Sequence, residues 1–329
     1  MKTLVTGGTG FVGSNIVKAL VKEGHEVISL DVGLPSDFLR GYLRNWLDKV
    51  TWIQADIRDI NVLNKVLSNF HIQNIVHAAA FTNSKDEQGP DYDKHLVDIN
   101  IAGALNVLDL GIRLSVKRFL FVSSGAVYGG LAVGTDELIG EDAILSPNSL
   151  YGISKYAIEM ICSRYSSLYG IQAVSVRLGT VYGPMERETR HRSKMSLIHQ
   201  WVGKAIRREP IDFNEYRVAQ DLVYVVDIGQ AIRFLLDESY LNYDIYNIGS
   251  GKISSRTELY SAMCNALPNN KVNFVGIDEG SIEIKGNNPS RSTRMDISRL
   301  LCQGYTPQFD IELGLKDYLF WRKKSEFVK

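Results

Sequence analysis

Lys2-Thr-Leu-Val-Thr6, followed without a break by Gly7-Gly-Thr-Gly-Phe-Val-Gly13, is the stretch that decides the fold. Its first five residues read as a short strand. Phe11, Ile16, Val17, Leu20 and Val21 then recur at helical spacing, so a helix opens inside the glycine segment. Strand, glycine turn and helix in this order give each glycine a use. Gly7 or Gly8 can take the positive φ of a tight turn, and Gly13 lets helix and strand pack closely. Gly10, with Phe11 and Val12 after it, lets a pyrophosphate approach the backbone at the helix N-terminus. An ordinary turn before a helix is the competing reading, and the strand immediately upstream argues against it.

Glu26-Val-Ile-Ser-Leu-Asp31 extends the pattern as a second buried strand ending in a carboxylate. Asp31 lies about twenty residues past the glycines, where an acid accepts hydrogen bonds from an adenosine ribose. The same charge repels a 2′-phosphate, and Val32 and Gly33 supply no arginine to receive one. These residues predict NAD, not NADP, as the cofactor. A helix-capping aspartate is the alternative for Asp31.

The alternation continues downstream. Thr51–Ala55, Asn74–Ala78, Arg118–Val122 and Ala173–Arg177 read as strands, with helices after Asp59, from Tyr92 to Leu114 and from Leu150 to Leu168. Strands alternating with helices at this spacing predict an α/β fold, a Rossmann-type doubly wound parallel sheet. Beyond Arg177 the rhythm breaks. Residues 178–210 look irregular and basic, while Val223–Val226 and Asp244–Ile248 look like late strands returning to the sheet. The expected organisation is a dinucleotide-binding domain over 1–177, rejoined by 212–248. A smaller, irregular C-terminal substrate lobe is expected over 178–211 and 249–329.

Composition narrows the partners. Lys plus Arg and Asp plus Glu both number 37, and no dense basic block occurs, so nucleic acid is not an expected partner. The three cysteines, Cys162, Cys264 and Cys302, have neither metal-ligand nor disulfide spacing, so no metal is expected and a reducing compartment is. The first strand begins at once after Met1, and no apolar run approaches about eighteen residues, so no membrane span is expected. The expectation is a cytoplasmic protein.

Ser149-Leu-Tyr-Gly-Ile-Ser-Lys-Tyr-Ala157 carries the candidate chemistry. Tyr151 and Lys155 stand one turn apart on a helix face. A free tyrosine, with a pKa of about 10, is a poor base at neutral pH. A lysine held nearby favours the phenolate. Alone, such a pair usually marks a solvated helix face. Here it follows Asp56-Ile57, His77-Ala-Ala-Ala80, Asn100 and Ser123-Ser-Gly-Ala-Val-Tyr-Gly129, and precedes Arg177-Leu-Gly-Thr-Val-Tyr-Gly-Pro184.

In that order the segments resemble the extended short-chain dehydrogenase/reductases, the family of NAD-dependent sugar-nucleotide epimerases and dehydratases. The resemblance is strong to about Pro184 and looser after it. It implies that Ser124 binds the substrate oxygen on which Tyr151 acts, and that Lys155 holds the nicotinamide ribose. It also implies that Ser123 and Leu178 lie beside the nicotinamide, that Asp56 and Ile57 contact the adenine, and that Ala78, Ala79 and Ala80 wall the cofactor. Asn100 is implied as a structural helper near the cofactor, with a helix-surface amide as the alternative. His77 is expected to serve packing. Gly125 and Ala126 stand where the family's dehydratases carry an Asp-Glu pair, so the motifs look most like those of the 4-epimerases.

The substrate side departs from the family. Thr180 replaces an asparagine and Gln220 an arginine, each of which contacts the sugar-nucleotide diphosphate in relatives. Arg187, Arg190, Arg291 or Arg294 would then supply the missing charge; a solvated basic loop is the alternative for the first two. Two reactions stay open. One is epimerisation of a nucleotide-activated sugar; the other is net oxidation or reduction of a small sugar, polyol or sugar acid. Ile99, Ala102, Leu105, Ile158, Ile161 and Tyr165 offer an apolar helical surface for a homodimer, unless they pack on the sheet.

Overall fold

The computed structural model describes residues 1–82, 89–129, 138–189, 192, 195–212, 220–267, 274–275 and 294–326. A seven-stranded parallel sheet forms its centre. Its strands are β1 (Lys2–Thr6), β2 (Glu26–Asp31), β3 (Val50–Gln54), β4 (Asn74–His77), β5 (Arg118–Val122), β7 (Gln172–Leu178) and β11 (Ile245–Ile248). Their order across the sheet is β11-β7-β5-β4-β1-β2-β3, so the direction of winding reverses beside β1. Six further strands pair in parallel twos. β8 (Thr180–Tyr182) pairs with β10 (Leu222–Tyr224), β9 (Ile211–Asp212) with β12 (Phe274–Val275), and β6 (Leu138–Ile139) with β13 (Arg294–Met295).

Both faces of the sheet are covered, which is why its strands read as continuous apolar runs and not as alternating ones. Val5, Val76, Leu120, Val122 and Val174 point to one side, against α1 (Phe11–Lys22) and α2 (Asp37–Leu43). Leu4, Ile75, Phe119, Phe121 and Ala173 point to the other, against α3 (Ile60–Leu67) and the long helix over 90–113. That helix comprises α4 (Pro90–Val97), a π turn (Asp98–Gly103) and α5 (Ala104–Arg113). It is the one helix among the described residues long and apolar enough by composition to cross a membrane; here Ala104, Val107, Leu108 and Leu110 are buried on the sheet. Beside it runs α6 (Leu150–Tyr169), with Ser149 accepting a hydrogen bond from the Gly152 amide as its N-cap.

Two expectations about the later chain need correction. Val223–Val226 does not return to the sheet as a strand. Leu222–Tyr224 pairs with Thr180–Tyr182, and α8 (Val225–Asp237) starts at once. Ile228, Ala231, Ile232, Leu235 and Leu236 are buried at helical spacing, and Gly229 brings α8 close to the Asn15 carbonyl of α1. Residues 178–210 are not wholly irregular either. Ile198, Trp201, Val202 and Ala205 set the buried stripe of α7 (Leu197–Arg207).

α7, β8 and β10 share a second core with α9 (Arg256–Ala266) and α11 (Ile311–Glu326), where Trp201, Tyr182, Leu259 and Tyr318 are buried together. α10 (Ser298–Gln303) joins the first core through Leu300. Ile158 is a third correction. It is fully buried against the sheet and offers no surface, because α6 turns that residue inward while Ile153, Met160 and Leu168 face out.

Candidate active site

A cavity of about 830 Å³ lies along the carboxyl ends of β1, β2, β3, β4, β5 and β7. The reversal of strand order at β1 opens a crevice there, the usual ligand position in such a sheet. Its lining brings together Gly7, Gly10, Phe11, Val12, Gly13, Asp31, Asp56, Ile57, Ala78, Ala79, Ala80, Ser123, Ser124, Tyr151, Lys155 and Leu178 from the cofactor and catalytic predictions. From the substrate prediction it holds Thr180, Arg187 and Gln220.

The glycine loop has the shape its residues dictate. Gly7 takes φ +70°, and a Cβ there would stand 2.6 Å from the Ala79 backbone. A Cβ on Gly13 would fall 2.0 Å from the Gly7 carbonyl oxygen, so only glycine lets α1 pack this close to the loop. At Gly10 the nearest atom would be the Gly7 oxygen at 3.1 Å, with the rest open. α1 begins at Gly10 without a side-chain cap, which leaves its first amides facing the cavity. Asp31 accepts hydrogen bonds from the Thr9 amide at 3.0 Å and the Val32 amide at 2.8 Å. It therefore fixes the loop and still lines the cavity. An open glycine cradle, an uncapped helix end and a carboxylate at the end of β2 fit an NAD diphosphate and adenosine ribose.

Ser124 lies two residues past β5 and caps a short 3₁₀ turn, accepting from the Ala126 amide at 3.2 Å. Tyr151 and Ser124 line the cavity together, with the Ser124 hydroxyl near enough to act on the phenol. Burial pushes the Tyr151 phenol above its usual value, against the downward pull of Ser124 and the Arg192 charge. The Lys155 ammonium donates to the Val122 carbonyl at 2.8 Å and lies 5.7 Å from the Tyr151 ring centre. Burial brings its pKa down to about 8, with Glu159 opposing. Both groups are held in the less charged direction until further charge arrives in the site.

Beneath these residues lies a buried polar chain that the sequence reading missed. The Ser123 hydroxyl donates to Glu159 at 2.5 Å, and Glu159 takes a bidentate pair from Arg177, with Nη2 at 2.8 Å. Both partners of that ion pair are 2% exposed. Arg177 also donates to the Tyr128 hydroxyl at 3.0 Å, and Tyr128 to Asn247 at 2.6 Å. One signal was available: Glu159 stands four residues past Lys155, on the same helix face. His77 is buried, shares a 2.7 Å hydrogen bond with Thr6 and stacks on Phe121.

The remaining predicted residues separate. Asn100 sits in the π turn and is not in the lining. Its side chain accepts from the Phe81 amide at 2.7 Å and donates to Ser154 at 3.2 Å, tying the loop after β4 to α6. Arg294 is also off the lining; it lies in β13, paired with β6, and donates to the Gly251 carbonyl at 3.0 Å. Arg190 and Arg291 lie outside the described residues. Arg192 does line the cavity. It is paired at 2.7 Å with the buried Glu186, which also accepts from the Ser196 amide and hydroxyl.

Residues 3–249 match the NAD dependent epimerase/dehydratase family. Over 326 residues the chain is 31% identical to a putative UDP-glucose 4-epimerase of Methanocaldococcus jannaschii, covering 98% of each protein. It is 28% identical to the UDP-glucuronate 4-epimerase of Thermodesulfobacterium geofontis, covering 99% of this chain and 98% of that one. Among solved structures, the UDP-glucose 4-epimerase of Thermus thermophilus in complex with NAD superposes with a TM-score of 0.77 at 25% identity, over 97% of this chain and 98% of that one. The glycine cradle, the Asp31 carboxylate and these likenesses agree: the chain belongs to the NAD dependent epimerase/dehydratase family and is an NAD-dependent enzyme of the extended short-chain dehydrogenase/reductase type.

Proposed function

We propose that this protein is a nucleotide-sugar 4-epimerase working through Ser124, Tyr151 and Lys155. The observation that carries the reading is that Ser124, Tyr151 and Lys155 line the same cavity as the glycine cradle. NAD, held by the glycine loop and Asp31, would supply a reversible hydride acceptor. Tyr151 takes the proton of the sugar hydroxyl as the carbon beneath it is oxidised, and gives the proton back when the keto sugar is reduced from its other face. Ser124 holds that oxygen in place. Lys155, with the positive charge of the oxidised nicotinamide, opposes the burial that raises the Tyr151 pKa.

Gly125 and Ala126 provide no acid or base beside Ser124, which supports epimerisation over loss of water. On the substrate side, Thr180, Gln220, Arg192 and the α7 end at Ser196 line the part of the cavity offered to the nucleotide. The lobe built on α7, α9 and α11 is assigned to the substrate, and the sheet with its helices to NAD. We further assign a homodimer through α5 and α6. These helices are joined by the Tyr165–Asp109 hydrogen bond at 3.0 Å, and they leave Met160, Leu168 and Tyr169 exposed. Three free cysteines suit the cytoplasm.

The deciding experiment incubates the purified holoenzyme with UDP-sugars and follows the C4 configuration by proton NMR while monitoring NADH absorbance. C4 inversion with no net NADH is expected. Net NADH accumulation without inversion would replace the epimerase with the dehydrogenase reading.

A further inference from the structure

The sequence assigned Arg187 to the substrate, but its surroundings belong to the cofactor. The segment after β8 is tethered to α1, since the Asn15 side chain donates both to the Phe11 carbonyl and to the Pro184 carbonyl at 3.0 Å. Met185 follows, buried in the first core at φ +71°, a left-handed conformation that non-glycine residues rarely adopt. Glu186 and Arg187 leave this corner in different company. The Glu186 carboxylate is buried and committed to Arg192 and Ser196. The Arg187 guanidinium instead reaches the glycine loop. Its Nη2 donates to the Thr9 carbonyl at 3.3 Å, and its centre lies 5.7 Å from the Phe38 ring.

Three observations make this placement look like half of a binding site. Arg187 Nη1 is buried without a hydrogen-bond partner among the described residues. Burial lowers the Arg187 pKa, and the charge of Asp31 is the opposing influence. Arg187 also lines the cavity at the same loop as Thr9, whose amide is held by Asp31. A desolvated guanidinium with an unused N–H is costly unless an acceptor arrives, and an anionic oxygen is the acceptor that suits it best. Arg187 and Asp31 thus stand on either side of Thr9, one suited to a phosphate and the other to a ribose diol.

We propose that Arg187 is a cofactor-locking residue, which contacts the pyrophosphate of bound NAD from the substrate-lobe side and holds the dinucleotide on the enzyme between turnovers. The proposal rests on the NAD site and not on the epimerase reading. It gives the fold a latch, because the cation that closes on the cofactor is carried by the chain segment that also places Arg192 and Ser196.

The test measures binding without turnover. Wild-type, Arg187→Ala and Arg187→Lys proteins are purified, and the NAD carried through gel filtration is quantified after denaturation. Affinities of the stripped proteins for NAD, ADP-ribose, adenosine and UDP are then measured by calorimetry. For Arg187→Ala, NAD and ADP-ribose are expected to bind roughly 10- to 100-fold more weakly, as for loss of a charged hydrogen bond. Adenosine and UDP should bind as before, and Arg187→Lys should recover part of the loss. Unchanged NAD affinity would overturn the proposal, as would a loss confined to UDP or an equal loss for all four ligands. If the alanine variant does not fold, Arg187→Gln carries the same measurement. Activity on a sugar nucleotide enters none of these outcomes, so the proposal and the epimerase reading can fail separately.

Discussion

The two walls of the cavity are built by different physics. On the cofactor wall, backbone does most of the shaping: Gly7, Gly10 and Gly13 leave room that a Cβ would fill, and the open end of α1 supplies amides. On the wall that carries Ser124, Tyr151, Thr180 and Arg192, side chains from distant segments hold one another through buried charge. Glu159 of α6 meets Arg177 of β7, and Glu186 meets Arg192 and Ser196. The first wall is local in sequence and can be read from one stretch of residues. The second exists only after the chain has folded.

The largest expected effect separates chemistry from cofactor binding. Tyr151→Phe removes the titratable oxygen and keeps the ring, so turnover should fall by about two to four orders of magnitude. NAD carried through purification should be unchanged. Near wild-type turnover would remove Tyr151 from the mechanism.

Next in size is the ion pair beneath the site. Arg177→Met leaves the Glu159 carboxylate buried without its partner, a loss of about 3–5 kcal/mol in folding stability. Urea denaturation checks it. Gly13→Ala is the matching test on the other wall. The added methyl meets the Gly7 carbonyl oxygen, and the resulting shift of α1 should cost about 1–3 kcal/mol, along with NAD affinity. If Gly13→Ala proves harmless, the cofactor wall tolerates side chains and the contrast between the walls fails.

That contrast explains what the sequence made legible. The strand–glycine–helix unit, Asp31 at the end of β2 and the Tyr151–Lys155 pair each depend on spacing along one stretch of chain, and the family resemblance added Ser124; the fold brings all of them to one cavity. Arg187 could not be placed this way. Val32 and Gly33 offered no arginine near Asp31, yet the fold brings one to Thr9 from across the lobe, through a corner at Met185 that no local propensity predicts. Val223–Val226 failed for a related reason: an apolar run of four suits a strand or the start of a helix, and only packing against α1 decides. Ile158 lay on a helical stripe with two possible neighbours, and the sheet took it.

A smaller effect bears on the cofactor wall alone. Asp31→Ala removes the carboxylate proposed to accept from the ribose and to repel a 2′-phosphate. The preference for NAD over NADP should fall by about tenfold or more, while the loss of the Thr9 and Val32 hydrogen bonds costs only about 1–2 kcal/mol in stability. Equilibrium binding of both dinucleotides checks it. Equal binding of NADP by the unmodified protein would show that Asp31 does not set the choice.

The smallest effect asks whether buried titratable groups at this edge of the sheet follow the same rule as the ion pairs. Burial brings the His77 pKa down to about 3, with the nearby Lys155 charge adding to the shift, and its hydrogen bond to Thr6 suits a neutral ring. In the unfolded chain a histidine titrates near about 6.5. As pH falls through that value the unfolded state gains a proton that the native state refuses, so stability drops with acid down to about pH 3. Between about pH 7.5 and 5.5 the loss from this one group is about 1.4 kcal/mol. His77→Gln keeps a polar side chain at Thr6 and removes the titration. His199, held down to about 4, and the carboxyls of Asp221 and Asp227, raised by burial, act in both proteins and cancel in the difference. The urea midpoint of the wild type should therefore fall more than that of His77→Gln over this interval. Parallel pH profiles would mean that His77 accepts a proton where it sits, and that Lys155 does not keep this edge of the sheet hostile to a second positive charge.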